Sequence, residues 1–533
     1  MPCRRGLLAV LAIVICALSL PARAQDLPSA LARLTADSFS ETERALAEIA
    51  ASGDPRALEV VQAVRDGRLF FLPPAGPVFL RTPDGALSDA ATGAAASPDA
   101  AALKLVRLNN RVRRAVEAAL GNLTLLSADP VRRAQAAQAV FRSRDPTALP
   151  TIEEALKRES VPRLRAALAE AKAAIDLTRV DAGEAERLAA VEVLRARGDQ
   201  DAKALLANLP ATAPDAVKAA AAAAIDSIDR LLALWGALQN AWYGLSLGSV
   251  LLLAAIGLAI TFGVMGVINM AHGEMVMLGA YTTFVVQEVI RSHAPGLFDW
   301  SLVIAIPLAF LVAGAVGVAI ERGVIRFLYG RPLETLLATF GLSLILQQAV
   351  RTAFGPTNRE VGAPSWMSGA FELGQLTITY NRLWILCFTL AVFLLLMALL
   401  KLTPIGLEMR AVTQNRAMAA SMGIRTARVD ALTFGLGSGV AGIAGVALSQ
   451  IDNVSPNLGQ SYIIDSFMVV VFGGVGNLWG TVVGAFSLGL ANKFLEPYAG
   501  AVLGKIAILV LIILFIQKRP RGLFALKGRA VEG

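Results

Sequence analysis

Histidine is nearly absent. In 533 residues only His272 and His293 occur. Two imidazoles cannot supply a cluster of metal ligands, so no metal centre is expected. Cysteine is almost as scarce. Of Cys3, Cys16 and Cys387, the first two fall in an N-terminal leader, and the one left cannot form an intrachain disulfide. Charged residues make up 17% of the chain against 55% hydrophobic. That balance excludes a disordered chain, a collagen and a disulfide-stapled secreted domain.

Familiar catalytic signatures are also missing. Gly244-Leu245-Ser246-Leu247-Gly248 has the G-x-S-x-G spacing. A nucleophile elbow needs a strand before it and a helix after, whereas this motif opens an apolar helix. An intramembrane hydrolase using Ser246 and His272 is therefore a weak rival, as is a passive channel. Gly500 to Lys505 lacks both the P-loop spacing and the Ser/Thr after Lys, and His272-Gly273-Glu274 is not H-E-x-x-H. The expectation is a non-enzyme with no catalytic residue, no ATPase site and no bound cofactor.

What the chain has in quantity is apolar sequence, unevenly placed. The net charge is +8. Residues 1–24 hold three arginines, residues 25–235 hold 27 basic and 28 acidic side chains, and residues 236–533 hold 19 and 13. The excess lies in the leader and between apolar runs, which fits the positive-inside bias rather than nucleic-acid binding. Arg4-Arg5, the apolar run Leu7 to Leu20 and Ala22-Arg23-Ala24 read as a secretory signal over 1–24. Residues 25–235 then form a helical extracytoplasmic domain. Asp54-Pro55, Asp129-Pro130 and Asp145-Pro146 suit helix starts, with Asp as N-cap and Pro at N1. Similar segments at Asp54, Asp145 and Asp199 leave a HEAT-like pairing and a plain helical bundle both open. Near 68–93, Phe70-Phe71-Leu72 and Val78-Phe79-Leu80 around a Pro/Gly stretch predict a small β-ribbon or ordered loop.

From about Leu245 apolar segments follow at 245–267, 274–290, 301–320, 333–353, 383–402, 429–450, 461–478, 481–494 and 500–517. The fold class expected is all-α: a polytopic membrane helix bundle over 240–520, of seven to nine spans, behind the helical domain. A tail at 521–533 is expected in the cytoplasm. An outside N-terminal domain and an inside tail require an odd number of crossings. Arg322, Arg326 and Arg331, then Lys401, Arg410, Arg416, Arg425 and Arg428, then Lys518, Arg519 and Arg521 mark the inside loops.

Four motifs stand out in this half. Gly263 to Tyr281 places Asn269, His272 and Glu274 between two apolar spans; such groups at membrane depth usually face a cavity or act in function. A solvated turn is the plainer alternative. Thr403 to Ile424 is a basic amphipathic stretch closed by Gly423, with Ala417, Ala420 and Ser421 keeping one face small and Arg410, Asn415 and Arg416 polar. Arg410 and Arg416 could pair with acidic groups of a partner, or the stretch could lie on anionic lipid. Gly435 to Gly445 holds small-xxx-small pairs that favour close helix packing. Phe472 to Gly480 is either a pore element or a tight turn.

The Gly263–Tyr281 run, the Gly406–Ile424 loop and the Gly473–Gly480 break together resemble the branched-chain amino acid type of ABC transporter permease, over about residues 240–525. The long helical domain ahead of them, with Asp89-Ala90-Ala91-Thr92-Gly93 and Arg107-Leu108-Asn109-Asn110-Arg111, is similar to the urea-transporter permease subfamily. The resemblance implies an importer in the inner membrane, with its N-terminal domain in the periplasm. Its partners are a second related permease, two ATPase subunits that hydrolyse the ATP, and a periplasmic solute-binding protein. The solute is small and polar, urea first, with branched-chain amino acids or short-chain amides as alternatives. The resemblance implies that Arg410 to Ile424, including Asn415, Arg416, Ala420 and Gly423, receives the ATPase stroke. Ala417 stands where the general importer pattern has an acid. It also implies that Asn269, His272 and Glu274 lie near the translocation path.

Overall fold

The computed structural model describes residues 27–524, apart from 53, 75, 83, 84, 100, 101, 180 and 211. The expected signal at 1–24 and most of the expected tail at 521–533 lie outside the described residues. The chain divides into two compact units, residues 1–233 and 234–533.

The first unit opens with α1 (Leu27–Leu34), α2 (Phe39–Ala51) and α3 (Ala57–Arg65). Five short strands follow: β1 (Leu69–Phe71), β2 (Val78–Arg81), β3 (Leu87–Asp89), β4 (Ala95–Ala96) and β5 (Lys104–Leu105). Then come α4 (Asn110–Thr124), α5 (Pro130–Ser143), α6 (Leu149–Arg158), α7 (Pro162–Thr178), α8 (Glu184–Arg197) and α9 (Gln200–Ala207). Two of the three Asp-Pro starts behave as expected; at the third, Asp54 accepts from the Arg56 amide at 2.8 Å, and Arg56 rather than Asp54 is the N-cap of α3. Asp129 accepts from the Val131 amide at 2.9 Å and starts α5, and Asp145 accepts from Thr147 at 3.0 Å. Asp199 caps α9 through Ala202 at 2.8 Å. The stretch near 68–93 is larger than a ribbon. It forms a five-stranded antiparallel sheet ordered β4-β3-β2-β1-β5 and reaches Leu105. The two-residue edge strands carry no alternation that a sequence reading could detect.

The second unit begins within α10 (Asp215–Met265). It continues with α11 (His272–His293), α12 (Ser301–Gly323), α13 (Pro332–Phe354), α14 (Tyr380–Leu402), α15 (Pro404–Gln414) and α16 (Arg416–Ser421). The last elements are α17 (Thr426–Leu448), α18 (Leu458–Gly473) and α19 (Leu478–Lys518). A two-stranded hairpin, β6 (Ala370–Leu373) and β7 (Leu376–Thr379), precedes α14. The unit is an all-α polytopic bundle. Among the described residues six helices are long and apolar enough to cross a membrane. The segments 481–494 and 500–517 both fall within α19, which is two helices joined across a non-helical kink at Gly500 (φ 75°, ψ 165°), as the two apolar segments of the sequence suggest. Beyond the bend, Lys505 holds the arm to α18 through Asp465 at 2.9 Å.

Burial sorts the helices into two classes. In α10 and α17 the most apolar window is 83% buried, whereas in α12, α13, α14 and α19 it is 17–28% buried. The outer helices turn leucines outward, such as Leu333, Leu337, Leu394 and Leu395. That suits lipid, where apolar side chains gain nothing by leaving the surface.

The inner helices are held by glycine. A Cβ added at Gly279 of α11 meets the Gly442 carbonyl of α17, and one at Gly445 meets the Val276 carbonyl. Gly437 approaches the Gly257 carbonyl of α10, 2.6 Å from where its Cβ would stand. Gly442 approaches the Ala309 carbonyl of α12 at 2.5 Å, and Gly317 of α12 lies against Ser438. So α17 touches three helices backbone to backbone, as the small-xxx-small pairs of its sequence suggest. Gly273 and Gly459 join α11 to α18 in the same way, and Gly244 and Gly489 join α10 to α19.

Backbone cannot rotate aside as a side chain can. Gly279→Val and Gly442→Val should therefore separate the inner helices, at a cost of about 3 kcal/mol or more each. The expected result is loss of monodisperse protein on size exclusion in detergent. Gly341→Ala on α13, where no heavy atom lies within 4 Å of the added methyl, should leave the profile unchanged.

Candidate functional site

The first candidate region is the turn from α10 into α11. Gly266 has φ 68° and ends α10. Asn269 then accepts from the Ala271 amide at 3.0 Å and launches α11. His272 turns back onto α10, its Nε2 2.9 Å from the Ala254 carbonyl. A carbonyl only accepts, so Nε2 carries the proton and Nδ1 is left without a partner. Glu274 looks the other way. Its Oε1 accepts from Ser343 Oγ at 2.9 Å and Gln347 Nε2 at 2.7 Å, both on α13. All three side chains are 1% exposed, which excludes the solvated-turn reading. None of the three bonds to another.

The polar face that receives this turn is on α13. Thr335, Thr339, Ser343 and Gln347 recur every four residues and are buried, on a helix whose leucines face outward. Thr339 Oγ1 accepts from the Met270 amide at 3.1 Å. The sequence reading took 333–353 as a plain span and missed this stripe, although its period of four is visible in the residues. Along α11 and the turn before it, Asn269 Nδ2, His272 Nδ1, Glu274 Oε2 and Tyr281 Oη are buried without a hydrogen-bond partner among the described residues. Buried polar atoms are nearly always satisfied, so this row has spare capacity for water or a polar solute.

The second region is the segment 403–424. Thr403 caps α15 through the Gly406 amide, and Asn415 caps α16 through Met418 at 3.0 Å. Gly423 has φ 90°, with open space where a Cβ would be; it ends the segment because only glycine takes that backbone cheaply. Leu407, Met418 and Met422 are 60–77% exposed, and Ala420 is exposed beside them. The two arginines are used differently from the sequence expectation, which left them free for an acidic partner. Arg410 donates to the Leu400 carbonyl. Arg416 donates both Nη1 and Nη2 to Asp430, the fifth residue of α17. Asp430 is completely buried, and a carboxylate there needs a counter-ion within the chain.

The third region, Phe472–Gly480, is a tight turn. Gly473 and Gly480 touch backbone to backbone, and Asn477 caps α19 through Trp479 at 3.0 Å. Leu523 and Phe524 donate amides to the Phe472 and Gly473 carbonyls and cover it. The Ser246–His272 pairing is not formed either: Ser246 Oγ accepts from Arg382 at 3.4 Å, while His272 is occupied by Ala254. No group of three His, Cys, Asp or Glu able to hold a metal occurs among the described residues.

Removing Glu274 should strand the buried Ser343 hydroxyl proton, while Gln347 Nε2 keeps its bond to Ser343 Oγ at 3.1 Å. Glu274→Leu is expected to lower the folded yield by about 1–3 kcal/mol of stability for the group left unpaired. Glu274→Leu combined with Gln347→Leu and Ser343→Ala should recover much of that loss, because no orphaned group then remains. Thermal unfolding in detergent measures both.

The matching family profile, described as branched-chain amino acid transport system / permease component, covers residues 240–516. All three regions lie inside it. The high-affinity branched-chain amino acid transport system permease protein LivH of Salmonella typhimurium is 32% identical over 294 residues, 54% of this chain and 94% of that protein. LivH of Escherichia coli (strain K12) is 32% identical over 296 residues with the same shares. BraD of Pseudomonas aeruginosa is 30% identical over 293 residues, 54% of this chain and 95% of that protein. No solved structure matches. The family match leaves out residues 27–214, which hold nearly all of the first unit. The chain belongs to the branched-chain amino acid transport system permease family.

Proposed function

We propose that this chain is one of two permease subunits in an ATP-driven importer of the inner membrane. It lines half of the path for a small polar solute and binds separate ATPase subunits through the exposed apolar face of 403–424, carried by Leu407, Met418 and Met422. A periplasmic binding protein delivers the solute, and the first unit lies on its side of the membrane. The observation that carries this reading is the family match over 240–516, which takes in the buried Asn269–Glu274 turn and the 403–424 segment together. The solute favoured is a branched-chain amino acid, the class named in the relatives LivH and BraD, with short-chain amides as an alternative.

Urea is the second reading, and one observation favours it. The relatives are matched over 94–95% of their length by 54% of this chain, so they lack a counterpart of the first unit. That unit is what resembles the urea subfamily. Its two quoted motifs both shape the fold: Asp89 accepts from the Ala91 and Thr92 amides, and Asn109 caps α4.

Uptake of labelled leucine and labelled urea in a strain deleted for this gene tests the solute at low external concentration. Loss of leucine uptake alone supports the first reading, and loss of urea uptake alone supports the second. Loss of neither rejects both solutes. The 403–424 assignment has its own test. Met418→Glu with Met422→Glu places charge on an exposed apolar face and should cut ATPase-subunit retention on the purified permease at least tenfold. Unchanged retention rejects the assignment. Gly423→Val is expected to weaken solute-stimulated ATPase more than retention, since it strains the backbone that closes the segment.

A further inference from the structure

Asp430 has no solvent exposure. Its two carboxylate oxygens take the two Nη groups of Arg416 side by side, Nη1 to Oδ1 at 3.2 Å. This fork fixes direction as well as distance. Arg416 is the first residue of α16, and its guanidinium carbon stands 4.6 Å from the centre of the Tyr329 ring. Tyr329 lies in the turn between α12 and α13. Glu321, at the end of α12, is 2% exposed and within electrostatic range of Asp430. Arg322 and Arg326 lie within electrostatic range of Glu321, and Arg416 is the arginine that bonds Asp430, in a pocket made by α12, the turn after it and α17.

α16 has little else to hold it. It is six residues long, and Ala419 is its buried residue. The exposed Met418 and Met422 belong to the same short stretch. If that stretch is displaced, Arg416 must either leave Asp430 or carry it along. Leaving strands a fully buried carboxylate beside a second buried acid, the more costly course. Carrying it along shifts α17, and α17 is packed backbone to backbone against α10, α11 and α12.

We propose that the Arg416–Asp430 pair, seated on Tyr329, is the joint that passes displacement of the 403–424 segment into α17. Arg416, Asp430 and Tyr329 are then positioning residues for coupling and touch neither solute nor nucleotide. The proposal rests on the reading of 403–424 as the surface that meets the ATPase.

The test uses the assembled transporter, permeases with their ATPase and binding-protein subunits, in nanodiscs. Three quantities are read: ATPase-subunit retention, basal ATPase rate, and the ratio of solute-stimulated to basal rate. Arg416→Gln and Asp430→Asn should each lower that ratio at least tenfold, with retention and basal rate within twofold of wild type. The double variant should be no worse than either single one. Arg416→Lys keeps a counter-ion but loses the fork and the ring contact, and should lower the ratio about two- to fivefold. Should Arg416→Gln fail to assemble, Arg416→Lys decides: a wild-type ratio overturns the joint. An unchanged ratio in Arg416→Gln also overturns it. So does a fall in which retention, basal rate and ratio drop together, which marks the pair as scaffolding only. The Met418→Glu/Met422→Glu variant separates the two failures. If it loses retention while Arg416→Gln keeps its ratio, the joint is wrong and the docking surface stands. If it keeps retention, the docking reading falls and the joint with it.

Discussion

The second unit depends on main chain meeting main chain around α17. Carbonyls of Gly257, Val276 and Ala309 occupy the places where side chains of α17 would otherwise begin. In lipid the hydrophobic effect does not draw helices together, so close van der Waals contact has to do so. Weak Cα–H···O contacts add to it when helices come this near. The His272 ring and the Arg416–Asp430 pair both sit against that seam. The His272 ring stands beside Gly257, a gap that glycine alone leaves open. The pocket of Asp430 opens at the end of the same helix.

Burial of polar groups follows from this arrangement. With the inner helices drawn tight, the Asn269, His272 and Glu274 side chains are buried, and they must find partners in the chain. Glu274 finds them on α13 and His272 on α10, and each keeps one polar atom in reserve. The fold does not rely on those reserve atoms, which keep unused hydrogen-bonding capacity.

Much of this was legible in the residues. The Asp N-caps, the apolar segments, the glycine pairs of α17 and the uncommon Asn269–Glu274 cluster are local patterns, and local patterns survive in sequence. What stayed hidden is pairing across the chain. Ser343 and Gln347 meet Glu274 from about seventy positions away, and Arg416 is taken up by Asp430 instead of facing outward. Each is set by which helix faces which, and no single segment records that. The sheet was only half visible because β5 joins β1 from far along the chain. The break between 481–494 and 500–517 is by contrast a local signal, and Gly500 marks it in sequence and backbone alike.

The cover over the glycine turn has a practical consequence. Leu523 and Phe524 bond their amides to Phe472 and Gly473, and Gly522 rests against Gly474. A sequence that looks like a dispensable tail is therefore stitched by its backbone onto the α18–α19 corner up to Phe524. Affinity tags and fluorescent fusions belong beyond that stitch. A fusion point placed before it would unpick the corner and be mistaken for a defect in transport.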